Sequence, residues 1–128
     1  MDLEQFTARA NAFLADHLPR KEATKTFVWG EGNDNVSMFE EKSRRAEEEM
    51  VASEKEWRRK KFDAGFGWIT GPTQYGGAGL TAAHERAYQR VESGFSVPNQ
   101  GAFTIGLGMV APTILAHASD LAKDLYLK

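Results

Sequence analysis

The sequence predicts an all-α domain, a bundle of five to six helices, and three observations carry that expectation. Apolar residues recur at helical spacing in several separate segments. Along the longest segment, acidic residues stand four places ahead of basic ones, the order that supports a helix. Glycine and proline clusters punctuate the segments, and nothing between them alternates as a half-buried strand would.

Asp2 opens the first helix, in which Leu3, Phe6, Ala10, Phe13 and Leu14 share one stripe, and Pro19 stops it. Residues 19–37 are the least regular part; Phe27, Val28 and Trp29 stand beside Gly30 and Gly32, which reads as a loop pinned by its aromatics. A long helix is expected over residues 38–64, with Ala46, Met50, Ser53, Trp57 and Ala64 on its buried stripe. Glu40/Arg44, Glu41/Arg45, Glu54/Arg58 and Glu56/Lys60 are its acid-first pairs, each contributing about 0.2–0.5 kcal/mol. Its charges alternate in sign, which describes a solvated face rather than a polyanion site. Phe62 and Phe66 add a second apolar edge, and Gly65 and Gly67 end the element.

Thr81 is placed to cap a helix running to about Ser93, with Ala83, Ala87, Tyr88 and Val91 on the buried side. Residues 94–99 turn the chain at Pro98, and the mostly apolar "GAFTIGLGMVAPTILAH" follows at 101–117. Ser119 caps a last helix, with Asp120 at its positive end and Leu121, Leu125 and Tyr126 on its inner face. Residues 1–37 thus form an N-terminal helix and ordered loop, and residues 38–128 the main bundle of a single domain.

The composition narrows the function. With 41% hydrophobic and 27% charged residues, most of the 128-residue chain is expected to fold. A net charge of −2 argues against nucleic-acid binding, which calls for a basic stripe. Without cysteine there is no disulfide framework and no thiolate chemistry. Asp2, Glu4 and Arg9 are at odds with a signal peptide. No apolar run approaches the roughly 18 residues of a membrane span, so a cytoplasmic protein is expected. His17, His84 and His117 are far apart, with no acid at ligand spacing, so no metal site is expected. His117 suits the C-terminal end of its helix instead. No serine sits in a G-x-S-x-G elbow and no carboxylate pair stands out, so no catalytic residue is assigned.

The glycines carry the strongest signals. Gly71 and Gly76 have the P-loop spacing, but Gly77 stands where the phosphate-binding lysine belongs, which excludes that reading. The dinucleotide fingerprint G-x-G-x-x-G/A is met at Gly77, Gly79 and Ala82 and again at Gly106, Gly108 and Ala111. It works only where a strand leads into a helix within a βαβ unit. Asp124 is near the place of the ribose-binding acid, but no strand–helix alternation surrounds either match. Gly76, Gly77 and Gly79 read instead as a tight joint between helices, anchored by Tyr75. In residues 101–117, Thr104 and Gly108 follow Gln100 at four-residue intervals, with Gly101 beside them. They make a small, nearly bare face, while Phe103, Ile105, Met109 and Leu115 cover other faces. Each helical glycine costs about 1 kcal/mol against alanine. Close helix packing would explain them, and so would the wall of a channel for a long, thin ligand; the residues alone leave both open.

Two stretches together, "FDAGFGWITGPTQYGGAGLT" and "VPNQGAFTIGLGMVAPTILAHASDLAKDLYL", resemble the N-terminal helical domain of acyl-CoA dehydrogenases of the bacterial, actinobacterial type. The likeness covers nearly the whole chain, including "FVWGEG". One departure is Ala118–Ser119, where the family usually has Gly-Thr followed by Glu and Gln. The resemblance implies an FAD-dependent flavoprotein, an oxidoreductase of fatty-acid or other lipid degradation. Such an enzyme dehydrogenates an acyl-CoA thioester between its α and β carbons. It further implies a middle β-barrel domain and a C-terminal helical domain, both absent from this sequence, and a homo- or hetero-oligomer, usually a dimer or tetramer. The flavin and the catalytic base lie in those other domains, so this chain alone is expected to be inactive and to bind no FAD. The family uses the helix at 101–117 as a wall of the acyl pocket, which maps substrate contact onto Gln100, Gly101, Thr104 and Gly108. The alternative is a stand-alone, non-catalytic helical interaction module or remnant gene product.

Overall fold

Helix α1 (Leu3–His17) forms where Phe6, Ala10 and Leu14 repeat at four-residue spacing, and these three are its buried residues. Leu18 leaves the helix in extended conformation, as a residue before proline does. The structure, a computed structural model, describes residues 1–22, 43–98 and 100–128. The loop expected around Phe27–Trp29 lies outside them.

Helix α2 (Arg44–Asp63) starts later than the expected Met38. Ser43 is extended at φ −60° and ψ 150°, and its hydroxyl accepts from the Ala46 N–H at 3.3 Å. That cap fixes the start, and residues 38–42 lie outside the described set. The expected stripe holds at Trp57, with Ala46, Met50 and Ala64 half-buried. It fails at Ser53, which is exposed; Glu54 takes the inward place. Of the expected ion pairs, Glu56–Lys60 forms at 3.1 Å. Arg44 and Arg45 pair forward with Glu48 and Glu49 at 3.3 Å each; Glu40 and Glu41 lie outside the described residues. Glu54 and Arg58 do not pair. Glu54 is wholly buried, with both carboxylate oxygens unpartnered among the described residues, whereas the Arg58 guanidinium sits 5.2 Å from the centre of the Phe103 ring.

The glycine joint is present between α2 and α3 (Ala82–Glu92). A short 3-10 turn, Thr73–Tyr75, ends at Gly76, whose φ of 89° is open to glycine at little cost. At Gly77 the reason is space: an added Cβ would fall 2.6 Å from the Gly71 Cα and nearer still to its carbonyl. Four short hydrogen bonds close the joint, among them Ala78 N–H to Trp68 O at 2.8 Å and Leu80 N–H to Ile69 O at 2.9 Å. Tyr75 is buried, as its anchoring role requires.

Helix α1 packs along α3. Between them and α2 lies one core of Phe6, Ala10, Leu14, Trp57, Phe66, Ile69, Tyr88 and Phe95. Phe66 is its hub, edge-on to Phe6 at 5.6 Å and stacked on Tyr88 at 5.1 Å. Arg9 reaches across to donate to the Ala64 carbonyl at 2.6 Å and covers the Phe66 ring at 5.4 Å. A single bridge between Arg20 and Phe95 ties the end of α1 to the end of α3, through Ser96 N–H to Pro19 O at 2.9 Å and Lys21 N–H to Gly94 O at 3.0 Å.

The rest is a helical run ending in α4 (Ala111–His117), then α5 (Asp120–Tyr126). Ser119 caps α5, accepting from Ala122 N–H at 3.3 Å, so the departure at Ala118–Ser119 keeps the joint. Leu121, Leu125 and Tyr126, expected to face inward, are instead 71%, 64% and 72% exposed. Their stripe is real, but no described element packs over it; Leu127 is the residue of this end that is buried. Five α-helices and no sheet among the described residues make the fold all-α, as the sequence predicts.

Candidate functional site

Pro98 and Gln100 lead into the run that carries all four candidate pocket residues. It opens with a 3-10 turn, Gly101–Phe103, passes through a π turn, Gly106–Val110, and becomes regular in α4. Proline explains the π turn. Pro112 has no N–H to offer the Gly108 carbonyl four residues back, and its ring crowds that carbonyl. The turn before it widens, and the Ala111 N–H reaches back five residues to Gly106 O.

The structure places Gln100, Gly101, Thr104 and Gly108 on this one continuous run. The Thr104 hydroxyl donates to the Gln100 carbonyl at 3.2 Å, a local bond within the run. Gly101, Thr104 and Gly108 are exposed, and Gln100 is half-buried with its amide nitrogen unpartnered. A Cβ at Gly106 or Gly108 would meet nothing within 4 Å. Among the described residues, close packing inside the chain therefore does not account for those two glycines. Around them Ile105, Met109 and Val110 are 67%, 66% and 49% exposed.

Two other features have no local signal in the sequence. Leu107, Ala111 and Pro112 line a separate cavity shared with α2. Between α2 and α3, Lys61 Nζ lies 3.1 Å from Glu92 Oε2 and 4.9 Å from the centre of the Tyr88 ring. Burial, reinforced by Glu92, pushes the Tyr88 phenol far above its ordinary value. The spacing of Lys61, Tyr88 and Glu92 along two separate helices hides this cluster from a one-helix reading.

Neither glycine motif fits a flavin or other dinucleotide. The N–H groups of Gly77 and Gly79 donate to Pro72 O and Gly71 O at 3.0 and 2.9 Å, so they are not free for a pyrophosphate. Gly106 and Gly108 sit inside a helical turn, not at a strand-to-helix junction.

The chain belongs to the acyl-CoA dehydrogenase N-terminal domain family: the pattern described as "Acyl-CoA dehydrogenase, N-terminal domain" matches residues 22–128. It is 29% identical over 126 residues to "Acyl-CoA dehydrogenase IpdE1" of Mycobacterium tuberculosis, covering 98% of this chain and 29% of that protein. The chain thus spans less than a third of that relative's length. No solved structure matches it. No helix among the described residues is long and apolar enough to cross a membrane.

Proposed function

We propose that residues 1–128 form a single helical domain, the N-terminal part of a cytoplasmic, FAD-dependent acyl-CoA dehydrogenase. In the complete enzyme the domain walls part of the acyl pocket and packs on the flavin-binding remainder, within a dimer or tetramer. Gln100, Gly101, Thr104 and Gly108 are the substrate-facing positions. The chain supplies no base and no flavin contact, so its part in α,β-dehydrogenation is to position and enclose the acyl chain. Excluding water around bound substrate is a contribution a wall can make without a reacting group.

The observation that carries this reading is the open space at Gly106 and Gly108 beside exposed Ile105, Met109 and Val110. Apolar side chains left in water around a bare helical face mark a surface built for something else to cover. In the complete enzyme, Gly108→Leu is expected to shift preference toward shorter acyl-CoA thioesters. The kcat/KM for the longest accepted chain should fall roughly tenfold, the effect of about 1.4 kcal/mol of lost fit. An unchanged chain-length profile overturns the assignment.

A further inference from the structure

A cavity of about 680 Å³ lies between α2, the turn before Tyr75, the helical run and residues 126–128. Gln100, Gly101, Thr104 and Gly108 do not line it, so it is distinct from the proposed acyl wall. Its volume falls within the roughly 300–1,000 Å³ of small-ligand sites.

Two features give it a chemistry. The first is apolar. Phe62, Leu107 and Tyr126 line the cavity and remain 52%, 51% and 72% exposed. Trp68 lines it too, half-buried. Large apolar side chains held in water around a concavity are stabilised when an apolar body fills it.

The second is cationic. Arg58, Arg59 and Lys61 line one side. Lys61 is paired with Glu92 at 3.1 Å, and Lys128, which also lines the cavity, with Asp124 at 3.1 Å. Arg58 and Arg59 have no ion pair among the described residues, and the Arg58 Nε is buried without a hydrogen-bond partner. Glu85 also lines the cavity, and the Arg58 guanidinium lies 5.2 Å from the centre of the Phe103 ring. Guanidinium groups bind carboxylates through paired, charge-assisted hydrogen bonds.

We propose that this cavity binds an amphipathic anion, a long-chain carboxylate. Its chain lies along Phe62, Trp68, Leu107 and Tyr126, and its head meets Arg58 and Arg59. The assignment stands apart from the reading of the acyl wall, because it uses none of that wall's residues.

Calorimetric titration of the 128-residue chain with decanoate and with decanol, both below micelle formation, tests it. Decanoate is expected to bind saturably, roughly tenfold tighter than decanol, and roughly tenfold weaker to Arg59→Gln, whose exposed position leaves the fold intact. A dibrominated stearate should quench tryptophan emission, and Trp68→Phe should remove most of that quenching. Any of four results overturns the proposal: no saturable binding, equal affinity for acid and alcohol, unchanged affinity in both Arg58→Gln and Arg59→Gln, or full quenching in Trp68→Phe. Self-association that closes the cavity would register as the first of these, with light scattering identifying it.

Discussion

Gly77→Ala isolates the glycine joint. The added Cβ would lie 2.6 Å from the Gly71 Cα and closer to the Gly71 carbonyl, so both sides of the clash are backbone. Neither can swing aside as a side-chain tip could. Gly77 N–H to Pro72 O at 3.0 Å and Gly79 N–H to Gly71 O at 2.9 Å would be strained together. Overpacking of this kind costs about 1–3 kcal/mol, and one lost hydrogen bond about 1 kcal/mol more. The expected loss is therefore about 2–4 kcal/mol, a Tm lower by roughly 5–20 °C for a domain of this size. Gly106→Ala is the matched opposite. Its Cβ meets nothing within 4 Å, and it sits within a helical turn. It should gain up to about 1 kcal/mol from helix propensity. Thermal melts followed by circular dichroism measure both. If Gly77→Ala melted with the wild type, or if Gly106→Ala melted below it, the spatial argument for these glycines would fail.

Two further outcomes follow from buried polar groups. Glu54 is wholly enclosed, with neither carboxylate oxygen partnered among the described residues, so Glu54→Leu, similar in volume and apolar, should raise stability by about 1–3 kcal/mol in urea unfolding; a lower midpoint would show that the carboxylate has a stabilising partner. Tyr88 has a phenol pKa raised chiefly by burial. Its folded form stays neutral where the unfolded chain ionises, near pH 10, so its contribution is full below that pH and is lost as pH rises above it. The Tm of the wild type should fall more steeply than that of Tyr88→Phe between about pH 10 and 11.5, and parallel curves would contradict this.

The helices were legible where one physical signal dominates. Phe6, Ala10 and Leu14 mark α1, and the acid-first pair Glu56–Lys60 marks the solvated side of α2. The joint at Gly76 and Gly77 was legible because only glycine fits there. Glu54 was not, since a glutamate four residues before an arginine reads as a surface pair, and only the tertiary fold turns it inward beside Trp57. Leu121, Leu125 and Tyr126 show the converse limit. Periodicity finds an apolar face but does not say whether the covering element belongs to the same chain. At the candidate site, the bare spacing of Gln100, Thr104 and Gly108 was visible, whereas the π turn ahead of Pro112 was not. The cavity beside Arg58 depends on residues far apart in sequence and has no local signature.

The central claim is that the run through Gln100 and Gly108 faces the acyl chain in the complete enzyme. A long-chain acyl-CoA carrying a photoreactive diazirine at its far end tests this most directly, with the crosslinked residues mapped by mass spectrometry. Labelling is expected within residues 100–108 and should be suppressed by Gly108→Leu. Labelling confined to other parts of the enzyme, with residues 100–108 untouched, would contradict it.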